Sequence, residues 1–295
     1  MKILITGVKG QVGSALMRVL TGHMLIGLSR ENFDLTKPDQ IKTEIDKYGP
    51  DLIINSAAYT NVDLAEVEPE LAFKVNRDAP KIIAEKALEH KIPLIHFSTD
   101  YVFDGLKLNS YNESDKTNPK NIYGKSKLAG ENIIQETGVE HYIFRTSFVY
   151  SNHGHNFYFS IKNLIKERAE IKVVSDQYSV PTSNFFIANQ IKKIIPNLNK
   201  NNTGLYHLVP NGFCTRYDFA VYISKKYDSK INLNNIFPIK TKNYLSAAKR
   251  PHNSCLDNKK IKKIFMLEFE DWRVELDNVI SRCQSESLLS LKDYC

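Results

Sequence analysis

Long apolar runs are missing from this 295-residue chain. No stretch approaches the ~20 residues needed to cross a bilayer, which excludes a helical membrane span. No secretory leader is expected: Met1–Thr6 is too short an apolar stretch, and a glycine loop stands where a cleavage site belongs. Cysteine is scarce, and Cys214, Cys255, Cys283 and Cys295 have no CxxC spacing, so neither a metal knuckle nor a disulfide framework is expected. Repeats and low-complexity tracts are lacking as well. What remains is a balance of 42% hydrophobic and 25% charged residues, that of a globular protein with a real core. A cytoplasmic location is the expectation, and the sequons at Asn112 and Asn201 then carry no meaning.

Acid is in deficit, with a net charge of +7. Such a balance invites a nucleic-acid reading. The lysines are dispersed among acids, however, and the densest run, Lys259–Lys263, reads as a solvated helix face. A basic surface equally suits small ligands that carry phosphates, and that use is preferred, with no nucleic-acid partner expected.

The first half alternates short apolar strands with helical patterns. Strands are expected at Ile3–Thr6, Met24–Leu28, Asp51–Asn55, Pro93–Ser98 and Tyr142–Thr146. Between them lie helices at Asp39–Lys47, Pro69–His90 and Tyr123–Glu136. This alternation predicts an α/β fold, a doubly wound, Rossmann-like parallel sheet over residues 1–150. Residues 151–295, where segments such as Lys172–Val174, Leu205–Leu208 and Arg216–Lys226 mix strands and helices, read as a smaller, mainly substrate-binding lobe, with some strands returning to the first sheet.

Gly7-x-x-Gly10-x-x-Gly13 follows the first strand and opens the first helix. Glycine there permits a sharp turn, close approach of a phosphate to backbone, and tight helix–strand packing, while the helix N-terminus offers free N–H groups to a diphosphate. Gln11 and Val12 complete the loop. The second strand ends Leu28-Ser29-Arg30 without a carboxylate to bind a ribose 2′-hydroxyl. Arg30 forking onto a 2′-phosphate and Ser29 donating to it would favour NADP(H) over NAD(H). Asp34 and Leu35 would close over the adenine, and the small Ala57 and Ala58 would let the cofactor lie close.

Tyr123-x-x-x-Lys127 places a phenol and an ammonium one turn apart on one helix face. The same spacing recurs at Tyr158/Lys162 and Tyr222/Lys226, but only the first copy follows a strand ending in Ser98-Thr99-Asp100. Reduction of a ketone by hydride yields an alkoxide that needs a proton at once. A free tyrosine, with a pKa of about 10, is a poor match to a neutral operating pH. Lowering it by two or three units needs roughly 3–4 kcal/mol, which an adjacent Lys127 ammonium and an oxidised nicotinamide would supply. Thr99 would hold the carbonyl oxygen.

With these motifs, and with Asn55–Asp63, Phe144–Ser147, Asp176–Thr182, Gly204–Leu208 and Arg250–Leu256 in view, the chain resembles the extended short-chain dehydrogenases/reductases, and within them the dTDP-4-dehydrorhamnose reductases, nearly end to end. The resemblance implies NADPH-dependent reduction of dTDP-4-dehydro-β-L-rhamnose to dTDP-L-rhamnose. It implies Thr99, Tyr123 and Lys127 as the catalytic set, the last two also contacting the cofactor. Thr60 and Val62 fall in the sugar pocket, with Asp100 beside Thr99 on the substrate side. Gln177, Thr182 and Arg250 become contacts for the nucleotide or its diphosphate.

Three departures qualify it. Phe148 stands where the family often has tryptophan, keeping an aromatic wall but losing an N–H donor. Ala15, and a Thr182–Phe186 stretch without acid, replace carboxylates of magnesium-linked relatives, so no metal is expected and the assembly should be a monomer or weak homodimer. Ser29-Arg30 replaces the acid that lets some relatives use NADH. The rivals are a sister reductase giving a 6-deoxy-talose product, a 4,6-dehydratase, a 4-epimerase, and a non-catalytic NADP-binding regulatory subunit. The dehydratases typically carry an acidic Asp-Glu pair where this chain has Asp100-Tyr101, and the epimerases usually carry serine in place of Thr99.

Overall fold

A computed structural model of the protein describes residues 1–154, 156–167, 170–227 and 235–292, with backbone alone for 227 and 283–292. The Cys283 side chain and Cys295 lie outside the described residues, and Cys214 and Cys255 are buried free thiols.

The first half runs β1 (Lys2–Thr6), α1 (Gln11–Val19), β2 (Met24–Leu28), α2 (Pro38–Tyr48), β3 (Leu52–Asn55), α3 (Val62–Ala65), α4 (Pro69–Phe73), α5 (Ala79–Glu89), β4 (Leu94–Thr99), α6 (Ile122–Glu136) and β5 (His141–Thr146). All five strands are parallel, and the later strand Gly204–His207 joins them in the order Gly204–His207, β5, β4, β3, β1, β2. The strands read as near-continuous apolar runs because both faces are covered. One layer, built on Ile3, Ile5, Leu52 and Ile54, packs against α1 and the later helix Asn184–Ile194. The other, built on Leu4, Ile53 and Ile143, packs against α2 and α5. Succession along the sheet reverses between β1 and β3, so the switch point lies where the glycine loop leaves β1 and Ser56 leaves β3.

The helix expected across Pro69–His90 is one continuous rod in sequence but not in geometry. Lys74–Asp78 is π-helical, between α4 and α5. The extra residue lets Asn76 turn inward. Its side chain accepts from Tyr59 N at 2.9 Å and donates to Tyr59 O and Ser126 Oγ, both at 3.0 Å. Such bulges re-aim side chains at sites; this one ties the loop after β3 to the helix bearing Tyr123.

A second core of Tyr150, Tyr158, Phe219, Trp272 and Leu276 belongs to the later half. Helices Phe157–Glu167 and Arg216–Tyr227 and the parallel pair Ile171–Val174 with Ile236–Ile239 build it. Helices Asn184–Ile194 and Lys259–Phe265 return to the sheet core, so two later helices as well as a strand complete the first lobe. Lys259, Lys260 and Lys263 are exposed while Ile261 and Phe265 point inward, and the half-buried Lys262 donates to Asn211 Oδ1 at 3.2 Å. The polar stretch 196–204 is a surface connection made of two short 3-10 turns.

Candidate functional site

A cavity of about 660 Å³ runs along the carboxyl ends of the strands and continues to the second lobe. At one end Gly7 holds φ at +71°, and a Cβ there would lie 2.8 Å from Ala57 Cα. Gly13 does not line the cavity: a Cβ on it would strike the Gly7 carbonyl, so its role is packing. The α1 N-terminus is capped by Gly10 with no side chain bonded to it and no acid in its first turn. N–H groups without a side-chain partner at a positive dipole end suit a diphosphate, and the donor set fits the phosphates of a dinucleotide. Gly7, Gly10, Gln11, Val12, Ala57 and Ala58 all line this end.

Ser29, Arg30, Asp34 and Leu35 follow along the wall. The loop after β2 differs from expectation in one respect. Asn32 N and Phe33 N both donate to Ser29 O, at 3.2 and 2.8 Å, and the resulting turn brings Glu31 back onto Ser29. The Ser29 hydroxyl donates to Glu31 at 2.9 Å, and Glu31 pairs with Lys9 of the glycine loop. A carboxylate is therefore present after all, one residue beyond Arg30, and Lys9 and Ser29 hold it below the usual carboxylate range. Asp34 is held low as well, first by the Thr36 backbone N–H, whose bond is 2.9 Å long.

The chemical end is built by β4 and α6. Asn121 caps α6, accepting from Gly124 N at 2.8 Å, and donates to Lys249 O at 2.8 Å, which fixes the start of the helix against the second lobe. Tyr123, Lys127, Thr99 and Asp100 all reach the cavity. Burial pushes the Tyr123 phenol up, and the Thr99 hydroxyl opposes this by hydrogen bonding. The Lys127 ammonium is turned toward β4, donating to Phe97 O at 2.5 Å and lying 3.3 Å from His96 Nε2. Burial brings Lys127 down to about 8, with Glu131 pulling the other way. His96 is a neighbour that spacing could not find. It is buried, kept neutral by burial and by Lys127, and its Nδ1 lies 3.0 Å from Asn55 Nδ2. Asp100 accepts from Ser147 at 2.8 Å and from Thr99 at 3.1 Å, and burial raises its pKa.

Toward the second lobe the wall holds Thr60, Val62, Phe148 and Gln177. Thr182 and Arg250 lie off it. Thr182 is fully buried, donating to Val180 O at 2.9 Å, and Arg250 is gripped by Asp63 at 2.6 and 3.1 Å. Phe148 adopts φ of +44°, a costly conformation for a bulky residue that aims its ring at Phe157 and Phe219. Arg216, which the sequence reading passed over, lies with its guanidinium 4.5 Å from the Phe148 ring centroid. Nothing in its local sequence marks it, since the loop before its helix is placed by tertiary packing.

Among the described residues, the cluster of metal-capable side chains is Asp46, Glu89 and His90, exposed, salt-bridged to Lys86 and on the other side of the sheet from α1. Ala15 is buried in α1, and Phe185 stacks beneath Arg282 at 4.8 Å.

A switch-point cavity that joins an uncapped glycine-loop helix to a Thr–Tyr–Lys constellation is the architecture of a nicotinamide-dependent oxidoreductase of the short-chain dehydrogenase/reductase class. The family described as the RmlD substrate binding domain matches residues 1–285. The dTDP-4-dehydrorhamnose reductase of Escherichia coli (strain K12) is 38% identical over 291 residues, covering 95% of this chain and 97% of that protein. Among solved structures, the dTDP-4-dehydrorhamnose reductase of Bacillus anthracis in complex with NADP superposes with a TM-score of 0.90 at 32% identity, covering 95% of this chain and 99% of that one. The Clostridium acetobutylicum ortholog gives 0.90 at 35% identity, covering 96% and 100%. The chain belongs to the RmlD family of dTDP-4-dehydrorhamnose reductases. The six-stranded parallel sheet with helices on both faces is that of these relatives.

Proposed function

We propose that the protein reduces the 4-keto group of dTDP-4-dehydro-β-L-rhamnose to dTDP-L-rhamnose with NADPH. The observation that carries this is a single cavity joining the glycine loop, the Thr99–Tyr123–Lys127 set and the second lobe, in a chain of this family. NADPH, when bound, supplies the hydride that adds to C4. Tyr123 gives its phenolic proton to the former carbonyl oxygen as that oxygen gains charge, and Thr99 steadies the oxygen with its hydroxyl. Burial, which keeps the phenol protonated, serves this direction because the proton must be present to be given. Lys127, whose pKa of about 8 keeps it charged at neutral pH, stands one helical turn along α6 from the tyrosinate left behind. Lys127 is thereby suited to steady the tyrosinate and to return a proton to it. Phe97 O and His96 fix its position from below.

Gly7, Gly10, Gln11, Val12, Ala57 and Ala58 take the dinucleotide, with Ser29, Arg30, Asp34 and Leu35 at its adenosine end. Thr60, Val62, Asp100 and Phe148 enclose the sugar, and Gln177 borders the nucleotide. Thr182 and Arg250 support the wall from behind. Among the described residues no helix is long and apolar enough to cross a membrane. We place the enzyme in the cytoplasm, without nucleic-acid partner, as a monomer or weak homodimer.

The test is incubation of the protein with NADPH and the dTDP-linked 4-keto-6-deoxy sugar, with the product read by NMR. Formation of dTDP-L-rhamnose is expected. A 6-deoxy-talose product, or no oxidation of NADPH, overturns the reading.

A further inference from the structure

A nucleotide sugar brings a diphosphate into the cavity, and two negative charges entering a partly dry site need a cation that is not already spent. Four basic side chains line the cavity: Lys9, Arg30, Lys127 and Arg216. Lys9 pairs with Glu31 beside the glycine loop, and Arg30 follows β2 at the same far end. Lys127 is buried, with its ammonium bonded to Phe97 O. Arg250 is outside the wall and doubly bonded to the Asp63 carboxylate, so its charge is already compensated.

Arg216 alone of the four belongs to the second lobe. Among the described residues no carboxylate forms an ion pair with it. Its guanidinium lies 4.5 Å from the Phe148 ring centroid and 5.6 Å from that of Phe157. Two aromatic rings orient the planar group, and stacking of this kind leaves N–H edges available to a forked acceptor. One of its nitrogens reaches Tyr101 Oη at 3.4 Å, and the Tyr101 ring packs edge-on to Tyr123 at 6.0 Å. Arg216 thus sits one aromatic side chain away from the proton donor. That is where the substituent on C1 of a sugar falls when its C4 oxygen faces Tyr123, because C1 and C4 lie across the ring from each other. Phe148 and Arg216 together also return N–H donors to the wall on which a tryptophan would have offered one.

We infer that Arg216 is the residue that binds the diphosphate of the nucleotide-sugar substrate, held in place by stacking on Phe148 and Phe157. The inference rests on the proposed function above. It assigns the substrate's charge recognition to the helix Arg216–Tyr227 of the second lobe rather than to Arg250.

The test uses the full chain saturated with NADP⁺, as wild type, Arg216→Gln and Arg216→Lys, titrated with thymidine diphosphate and with thymidine. Arg216→Gln is expected to weaken thymidine diphosphate about ten- to hundredfold, the worth of a hydrogen bond to a charged group. Thymidine affinity and NADPH affinity should stay within about twofold, and Arg216→Lys should fall between wild type and Arg216→Gln. In turnover, KM for the sugar nucleotide should rise far more than kcat falls. Equal weakening of thymidine and thymidine diphosphate would show that Arg216 acts only by packing Phe148, and overturns the inference. So does an unchanged affinity for thymidine diphosphate. A wild-type protein that binds neither ligand overturns the function itself, and the inference with it.

Discussion

Glu131 and Arg145 form an ion pair in the interior beneath the catalytic strand, with side chains 1% and 4% exposed. Arg145 donates from Nε at 2.9 Å and from Nη2 at 2.6 Å, and the Ser98 hydroxyl donates to the same carboxylate. Arg145 Nη1 has no hydrogen-bond partner, while the Phe103 ring lies 5.0 Å from the guanidinium carbon. Glu131→Gln would leave a buried cation facing a neutral amide, and breaking a buried pair from one side costs about 3–5 kcal/mol. Against a typical total of about 5–15 kcal/mol this is large. At roughly 2–4 °C per kcal/mol it lowers the melting temperature by roughly 6–20 °C. Thermal unfolding followed by circular dichroism measures it. The double change Glu131→Leu with Arg145→Met removes both charges together and should cost no more than about 1 kcal/mol, since an apolar replacement of a buried pair is often neutral. Asp277→Asn, which breaks a pair with Lys226 that is 39% and 40% exposed, should stay within about 0.5 kcal/mol. There is also a catalytic readout. Glu131 raises the Lys127 pKa, so the Gln variant should lose its charged lysine at lower pH. A cost for Glu131→Gln below about 1 kcal/mol, or a double variant as damaged as the single, would refute this reasoning.

Tyr123→Phe should reduce kcat by at least ~10²-fold with NADPH affinity nearly intact, whereas Tyr222→Phe, far from the cavity, should retain turnover; steady-state kinetics and a binding titration check both. Arg30→Ala should erode the preference for NADPH over NADH by about 1–3 kcal/mol in kcat/KM, and an unchanged ratio would mean that Arg30 faces solvent. Lys127 is held at about 8 against an ordinary 10.5, so between these values the unfolded chain binds the proton that the folded one has lost. Stability of the cofactor-free protein should therefore rise with pH from about 8 to 10.5 relative to Lys127→Met, and parallel curves in denaturant titrations would contradict this. EDTA should leave activity and sedimentation unchanged, since Ala15 offers no donor atom and the Thr182–Phe186 stretch no carboxylate; a dimer that dissociates on chelation and reforms with Mg²⁺ would overturn that expectation.

The order of elements was legible in the chain because each rests on local rules. Apolar runs such as Ile3–Thr6 and the one within Asp51–Asn55 suit a sheet covered on both faces, and the glycines at positions 7 and 13 stand where a Cβ would strike backbone. The Tyr123–Lys127 pair was legible for the same reason, since a helix fixes which residues share a face. What only the tertiary structure decided are relations between residues far apart in sequence. Glu31 returns to Ser29 through a turn whose hydrogen bonds no residue type dictates. Asp63 takes Arg250 across 187 residues, a pairing that no local pattern announces. Arg216 enters the cavity only because Phe148 and Phe157 give its guanidinium a surface. Lys127 turns to Phe97 and His96 because a buried ammonium needs acceptors that β4 alone supplies. Periodicity fixes faces and turns; which charge is spent and which stays free depends on distance, and distance exists only once the chain has folded.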